Sequence, residues 1–97
     1  MKIATWNVNS IQVRLDHVLA WLAEHRPDVL CLQETKCTDD KFPAGIFLEA
    51  GYNSAFLGQK SYNGVAILSP HEFADVQMNM PDDDAEAPKR LIAATIN

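Results

Sequence analysis

A strand–helix–strand pattern in the first third of the chain most limits what the sequence can fold into. The segment Lys2–Val8 is short and apolar, and the turn-forming residues Asn9 and Ser10 end it. Leucine and valine then recur at the spacing of one helix face until Pro27, which cannot continue a helix. A continuous apolar run, Val29–Leu32, follows. We expect a βαβ unit with two parallel strands, the first largely buried and the second buried on both faces.

The rest of the chain predicts further elements of a mixed α/β fold. Pro43 suits the first position of a short helix, which Gly51 closes. The pair Asn63-Gly64 favours a hairpin between two of the later strands. Apolar, β-rich runs predict those later strands at Ser54–Leu57, Val65–Leu68, Phe73–Met78 and Leu91–Ile96.

The balance of charge argues against nucleic-acid binding through a bulk basic surface. The 97 residues carry 8 Lys and Arg against 13 Asp and Glu, a formal net charge of −5. Much of the excess lies in the acidic run 82–86, which favours a solvated loop over a cation site. Cys31 and Cys37 match neither a zinc spacing nor a disulfide framework, and no apolar stretch reaches membrane-spanning length. We expect one small globular unit in the cytoplasm, with reduced cysteines.

Two polar residues stand at the ends of the predicted parallel strands. Strands joined by a crossover finish at the same edge of the sheet, so Asn7 and Glu34 should lie side by side there. Glu34 follows an apolar run, where a charge needs a partner. The candidate partners are a hard divalent cation such as Mg²⁺, or an ion pair with Lys36, Lys2 or Arg14. Asn7 either takes a capping or turn role or contributes its amide oxygen to the same cation.

Other side chains give weaker signals. The histidines at positions 17, 25 and 71 are expected to be solvated surface residues rather than bases. Tyr62, next to the Asn63-Gly64 turn, is either a cross-strand packing residue or an exposed contact. The sequence shows no Ser/His/Asp motif, Gly-rich phosphate loop or HExxH motif. From the residues alone, the sequence predicts an α/β sheet edge with a candidate metal ligand and no defined reaction.

The segments Trp6-Asn7-Val8-Asn9 and Leu32-Gln33-Glu34-Thr35-Lys36 resemble motifs of the exodeoxyribonuclease III branch of the endonuclease/exonuclease/phosphatase superfamily. The resemblance runs through essentially the whole chain in order, with further matches at Gly58-Gln59-Lys60 and at Tyr62–Leu68. It implies an α/β fold of the DNase I-like class, a four-layer α/β/β/α sandwich of two packed mixed sheets. Residues 1–97 would then be an N-terminal fragment of a single domain.

The resemblance also implies a DNA-repair phosphodiesterase that depends on Mg²⁺ or Mn²⁺. Such an enzyme is an abasic-site endonuclease and a 3′–5′ exodeoxyribonuclease, and its partner is double-stranded DNA with abasic or 3′-blocked ends, with no membrane partner. The family's metal-site roles carry over to Asn7 and Glu34, and its nucleic-acid contacts to Asn9, Lys36, Tyr62 and Asn63. The general base and the groups that hold the oxyanion belong to later parts of the family domain. No catalytic residue is therefore expected in these 97 residues, and the fragment alone should be inactive.

The sequence leaves two alternatives. One is a phosphatase of the same superfamily that acts on a lipid or inositol phosphate. The other is a non-enzymatic half-fold that associates with another chain, because an incomplete sheet exposes an edge and an apolar face. The same exposure favours self-association of the isolated chain.

Overall fold

The computed structural model describes residues 2–58, 63–78 and 92–96, with residues 77–78 and 92–96 described by their backbone. Within these ranges lie six strands and two helices, with a 3₁₀ turn over Asp39–Lys41. In chain order they are β1 (Ile3–Asn7), α1 (Ile11–His25), β2 (Val29–Gln33), α2 (Ala44–Glu49), β3 (Asn53–Leu57), β4 (Val65–Ser69), β5 (Phe73–Met78) and β6 (Ile92–Ile96). The acidic run 82–86 falls outside the described ranges. None of the described helices is long and apolar enough to cross a membrane.

The first four strands form a mixed sheet in the order β1-β2-β4-β3. β1 and β2 are parallel, with Asn7 opposite Gln33, whereas β4 is antiparallel to both of its neighbours. β5 and β6 pair antiparallel as a second sheet, which contacts β3 and β4. The βαβ unit and the mixed sheet predicted from the sequence are therefore confirmed.

Helix α1 begins and ends where the sequence provides signals. Ser10 is its N-cap, and the Ser10 hydroxyl accepts a hydrogen bond from the backbone N–H of Val13 at 3.4 Å. At the other end, Arg26 adopts a left-handed conformation with φ of 45° and donates to the carbonyl of Leu22. Pro27 then prevents a further turn, and the chain passes directly into β2.

The core lies between the two helices and one face of the four-stranded sheet. Each large apolar side chain buried there contributes about 1.5–3 kcal/mol relative to exposure. The buried apolar residues of α1, α2 and the two central strands include Ile11, Val18, Leu22, Leu30, Leu32, Phe47 and Leu68. The crossover helix α1 therefore shares one buried core with the central strands β2 and β4.

Strand β1 differs from the expectation of a largely buried strand. It is an edge strand of the four-stranded sheet, and its residues alternate between exposed and half-buried. Ile3 has 64% of its surface exposed. The prediction of a largely buried β1 is therefore wrong in the described residues. The reason is that an apolar sequence pattern does not reveal whether a second layer covers a face of the strand. β2, between β1 and β4, is largely buried as predicted.

The Asn63-Gly64 pair lies in the connection between β3 and β4, where the sequence predicts it. β3 and β4 do pair as antiparallel neighbours, but residues 58–64 separate them. Asn63 and Gly64 both have positive φ, 58° and 90°, as an Asn-Gly turn requires. They stand directly before β4 rather than forming a two-residue connection. The predicted hairpin between these two strands and the conformational preference of the Asn-Gly pair are therefore confirmed.

A polar cluster closes the end of the sheet opposite to Glu34. The backbone N–H of Lys2 donates to Oδ2 of Asp28 at 2.6 Å, and His71 Nε2 lies 3.3 Å from Oδ1 of Asp28. Ser69 Oγ donates to the backbone carbonyl of Asp28 at 2.7 Å. The Lys2 N–H, followed by the His71 side chain, lowers the pKa of the Asp28 carboxyl below its ordinary value of 3.8. The folded chain thus favours the charged form of Asp28.

We expect this carboxylate to make stability depend on pH in the acid range. A carboxyl whose pKa is lowered by folding adds stability above its unfolded pKa, and this stability is lost as pH falls through the folded pKa. In urea unfolding, Asp28→Asn should be less stable than the unsubstituted protein near neutral pH, and the difference should shrink below about pH 4. Asp16→Asn, on the exposed side of α1, is the control. A difference that does not change with pH would contradict this role.

Candidate functional site

Asn7 and Glu34 meet at the end of the parallel strand pair. The ladder places Asn7 opposite Gln33 and continues with a hydrogen bond from Val8 N–H to the Gln33 carbonyl at 3.0 Å. The amide nitrogen of Asn7 donates a hydrogen bond to Oε2 of Glu34. The two side chains that the sequence predicted to be neighbours are therefore in direct contact.

The second polar atom of Asn7 shapes the loop between β1 and α1. Its Oδ1 accepts a hydrogen bond from the backbone N–H of Asn9 at 3.2 Å. Such side-chain to backbone bonds are typical of asparagine in turns. The turn role considered for Asn7 is thus present in the structure, and its contact with Glu34 is made through nitrogen. In this geometry Asn7 orients the Glu34 carboxylate.

Lys36 and Asn9 form the other half of the site. Lys36 Nζ donates to Oδ1 of Asn9 at 2.5 Å and lies 4.0 Å from Oε1 of Glu34. The side chains of Glu34 and Lys36 are 44% and 29% exposed, so solvent screens their attraction to at most about 1 kcal/mol. Lys2, also considered as a partner for Glu34, instead donates to the carbonyl of His25 at the far end of the sheet. The Glu34 carboxylate is therefore accessible and only weakly paired.

Backbone hydrogen bonds hold the segment 34–36 from both sides. On one side lies the start of α1, and on the other the start of β4. The four bonds join Ser10 N–H to Glu34, Ile11 N–H to Thr35, Thr35 N–H to Gly64 and Lys36 N–H to Asn63, with N···O distances between 2.8 and 3.2 Å. The segment that carries both charges is thus fixed by two otherwise separate loops.

Backbone strain is concentrated in the same loops. Six non-glycine residues have positive φ in the ranges that the structure describes. Five of the six belong to this site: Asn9, Ser10, Glu34, Lys36 and Asn63. A left-handed conformation costs a non-glycine residue about 1–2 kcal/mol, and such strain clusters at functional sites. Glutamate and lysine do not favour this conformation, so the site holds two charges at a cost in stability.

Of the four residues predicted to contact nucleic acid, three lie in the described part of the chain. Asn9 and Lys36 are bonded to each other, and the Asn63 carbonyl accepts the backbone N–H of Lys36. Three of the four predicted contacts therefore lie together, with Lys36 between Asn9 and Asn63. Tyr62 lies outside the described residues.

Sequence reasoning missed Thr35 and Gly64, which join the two loops. In the sequence, Thr35 stands between two charged residues and carries no signal of its own, and Gly64 indicates only a turn. The positive φ that an Asn-Gly pair favours was the signal that could have directed attention to Gly64. Nothing in the local sequence indicated its contact with Thr35.

Known proteins resemble this chain over nearly its whole length. Residues 4–95 match the family described as the Endonuclease/Exonuclease/phosphatase family. The chain belongs to this family. Exodeoxyribonuclease III of Haemophilus influenzae is 35% identical over 96 residues, which cover 99% of this chain and 36% of that protein.

Two solved structures match the fold of this chain closely. A 3′ phosphatase from Neisseria, bound to a product DNA hairpin, is 48% identical with a TM-score of 0.94. An AP endonuclease from Archaeoglobus fulgidus is 49% identical with a TM-score of 0.92. Both matches cover 99% of this chain and 37% of the solved chain, so this chain spans little more than a third of these relatives. The similarity confirms the DNase I-like fold class.

The ligand atoms at this edge of the sheet fit a divalent cation that takes its remaining ligands from water and substrate. Glu34 offers an exposed carboxylate, whereas the amide oxygens of Asn7 and Asn9 accept hydrogen bonds from the Asn9 N–H and from Lys36. Mg²⁺ is commonly held by one or two carboxylates together with waters and phosphate oxygens. The described residues include no group of three or more His, Cys, Asp or Glu side chains that could hold a metal. They therefore provide an open site and not a closed protein cage.

The described histidines are all engaged away from Glu34. His17 packs edge-on against Trp6, with ring centroids 5.3 Å apart, and His25 packs against Trp21 at 4.7 Å. His71 contacts Asp28 at the opposite end of the sheet. Over the described ranges, the site therefore combines a carboxylate, an ammonium and amides without a histidine base.

Proposed function

We propose that the protein containing this chain is a DNA-repair phosphodiesterase of the exodeoxyribonuclease III type that depends on Mg²⁺ or Mn²⁺. It cuts duplex DNA at abasic sites and removes nucleotides or blocking groups from 3′ ends. The observation that carries the proposal is the contact between Asn7 and Glu34 at the edge of the parallel strands, with Lys36 beside it. The names of the three relatives, an exodeoxyribonuclease, a 3′ phosphatase and an AP endonuclease, support this range of substrates.

The residues at this edge suit the chemistry of a phosphate ester. Glu34 holds the cation, and the amide of Asn7 keeps the carboxylate in one orientation. A divalent cation bound there stabilises the negative charge that develops on the phosphate during hydrolysis. Lys36 presents an ammonium group for a backbone phosphate, positioned by its hydrogen bond to Asn9. Tyr62 and Asn63 are further proposed contacts with the DNA backbone.

Glu34→Gln in the whole protein tests the proposed cation ligand. Glutamine keeps the size of the side chain but removes its charge, which should cost several kcal/mol of transition-state stabilisation, or at least about 100-fold in rate. The measurement is nicking of a labelled duplex with one abasic site at saturating Mg²⁺. Glu49→Gln, exposed at the end of α2, is the matched control and should cleave normally. Equal cleavage by both variants would contradict the role of Glu34.

The same assay separates the proposed function from the superfamily alternative. An unsubstituted whole protein that hydrolyses an inositol phosphate or a lipid phosphate but leaves the abasic duplex intact would overturn the proposal.

The isolated 97-residue chain should be inactive and should self-associate. Its described residues place one carboxylate and no histidine base at the site, and they leave β1 as an open sheet edge with Ile3 exposed. Open edges pair readily with other strands. Sedimentation velocity at two protein concentrations measures association, and the duplex assay measures activity. A monomer at both concentrations would contradict the first expectation, and Mg²⁺-dependent nicking would contradict the second.

Lys36→Met in the whole protein tests the proposed phosphate contact. A lysine that neutralises one phosphate should, when removed, weaken binding to all DNA sequences alike and reduce the slope of log K against log salt by about 1. Lys41→Met is the matched control, because Lys41 is exposed in the 3₁₀ turn. Fluorescence anisotropy with a labelled duplex over a series of salt concentrations gives both slopes. An unchanged slope for Lys36→Met would exclude the contact.

A further inference from the structure

The side chain of Thr35 is packed against Gly64 beneath the two charged residues of the site. Thr35 is buried, with 1% of its surface exposed. A Cβ atom built on Gly64 would lie 2.2 Å from Oγ1 of Thr35 and 3.3 Å from the backbone nitrogen of Lys36. Because real Cβ atoms do not approach other atoms at 2.2 Å, a larger residue at position 64 would have to displace Thr35.

The contact between Thr35 and Gly64 is one of close packing and not of hydrogen bonding through the Thr35 side chain. Oγ1 of Thr35 is buried and has no hydrogen-bond partner among the described residues. The hydroxyl is therefore not held by a bond that would fix the side chain by itself. Close packing against Gly64 instead limits where the Thr35 side chain can lie.

Displacement of Thr35 would reach the site through the backbone. Its carbonyl accepts from Ile11 N–H at 2.9 Å, and its own N–H donates to the Gly64 carbonyl at 3.2 Å. Its neighbours in the chain, Glu34 and Lys36, both have φ of 55°. These two strained residues, one on each side of Thr35, keep their conformation only while the surrounding structure holds them. A shift at Thr35 therefore moves the carboxylate and the ammonium together.

We propose that Thr35 and Gly64 are a pair of positioning residues that set the places of Glu34 and Lys36 for cation and phosphate binding. The inference rests on the proposed function, because it gives the pair a role in the same reaction. The pair itself touches neither cation nor DNA.

Gly64→Ala in the whole protein is the first test, with Gly51→Ala as its matched control. Gly51 has nearly the same φ, 93° against 90°, but a Cβ there meets nothing within 4 Å. Both variants therefore carry similar backbone strain, and only Gly64→Ala carries the collision. Gly64→Ala should weaken Mn²⁺ binding about 10-fold or more, measured directly by electron paramagnetic resonance. Its kcat/KM for abasic duplex should fall by about 100-fold at limiting Mg²⁺.

Rescue distinguishes positioning from a general loss of structure. Adding Thr35→Ala to Gly64→Ala removes Oγ1 and leaves Thr35 Cβ as the nearest side-chain atom, at 3.5 Å, which is an ordinary contact distance. The double variant should recover part of the Mn²⁺ affinity that Gly64→Ala loses. Thr35→Val added to Gly64→Ala keeps the crowding and should recover none. Thermal unfolding of each variant shows whether the affinities follow stability instead.

A second comparison applies where Gly64→Ala does not fold. Thr35→Ala removes the packing beneath the segment, whereas Thr35→Val keeps the branched shape and replaces the hydroxyl, which has no partner among the described residues, with a methyl group. Thr35→Ala should bind Mn²⁺ about 10-fold more weakly, and Thr35→Val should bind it normally.

The outcomes separate this inference from the proposed function. Equal Mn²⁺ affinities for Gly64→Ala and Gly51→Ala, or for Thr35→Ala and Thr35→Val, would overturn the positioning pair. An unsubstituted protein that binds Mn²⁺ but does not cleave the abasic duplex would instead overturn the proposed function.

Discussion

The parallel pairing of β1 with β2 is the constraint on which the site depends. Two strands that run in the same direction end at the same edge, so the ladder brings Asn7 and Glu34 to adjacent positions. A slip of one residue would turn each side chain of β1 to the opposite face and separate the pair. The helix that joins the two strands, α1, contributes Val18 and Leu22 to the same buried core as Leu30 and Leu32 of β2.

The sequence was sufficient to predict those elements and contacts whose signal lies in neighbouring residues or in the strand order. The spacing of leucines and Pro27 predicted α1, and the parallel crossover predicted that Asn7 and Glu34 would meet. The exposure of β1 could not be predicted, because a short apolar segment does not show whether another layer covers it. The contact of Thr35 with Gly64 was equally out of reach, since it joins residues that only the completed sheet brings together.

The two ends of the parallel pair differ in their physical character. At the Asp28 end, a backbone N–H and a histidine contact the carboxyl group, and the Ser69 hydroxyl donates to the backbone carbonyl of the same residue. At the Glu34 end, charges are exposed and several residues have left-handed backbone. A net charge of −5 is compatible with DNA binding at such a site, because a bound cation can bridge an acidic group and a phosphate.

The left-handed backbone at Glu34 and Lys36 has an evolutionary consequence. Glycine would adopt the same φ without steric cost, but it would supply neither a carboxylate nor an ammonium group. The roles proposed for these two positions and the stability of the fold therefore favour different residues. Where selection for function is relaxed, we expect substitutions to glycine at positions 34 and 36 to accumulate early. A descendant with these substitutions would keep the fold but lose the carboxylate and ammonium groups at this edge of the sheet.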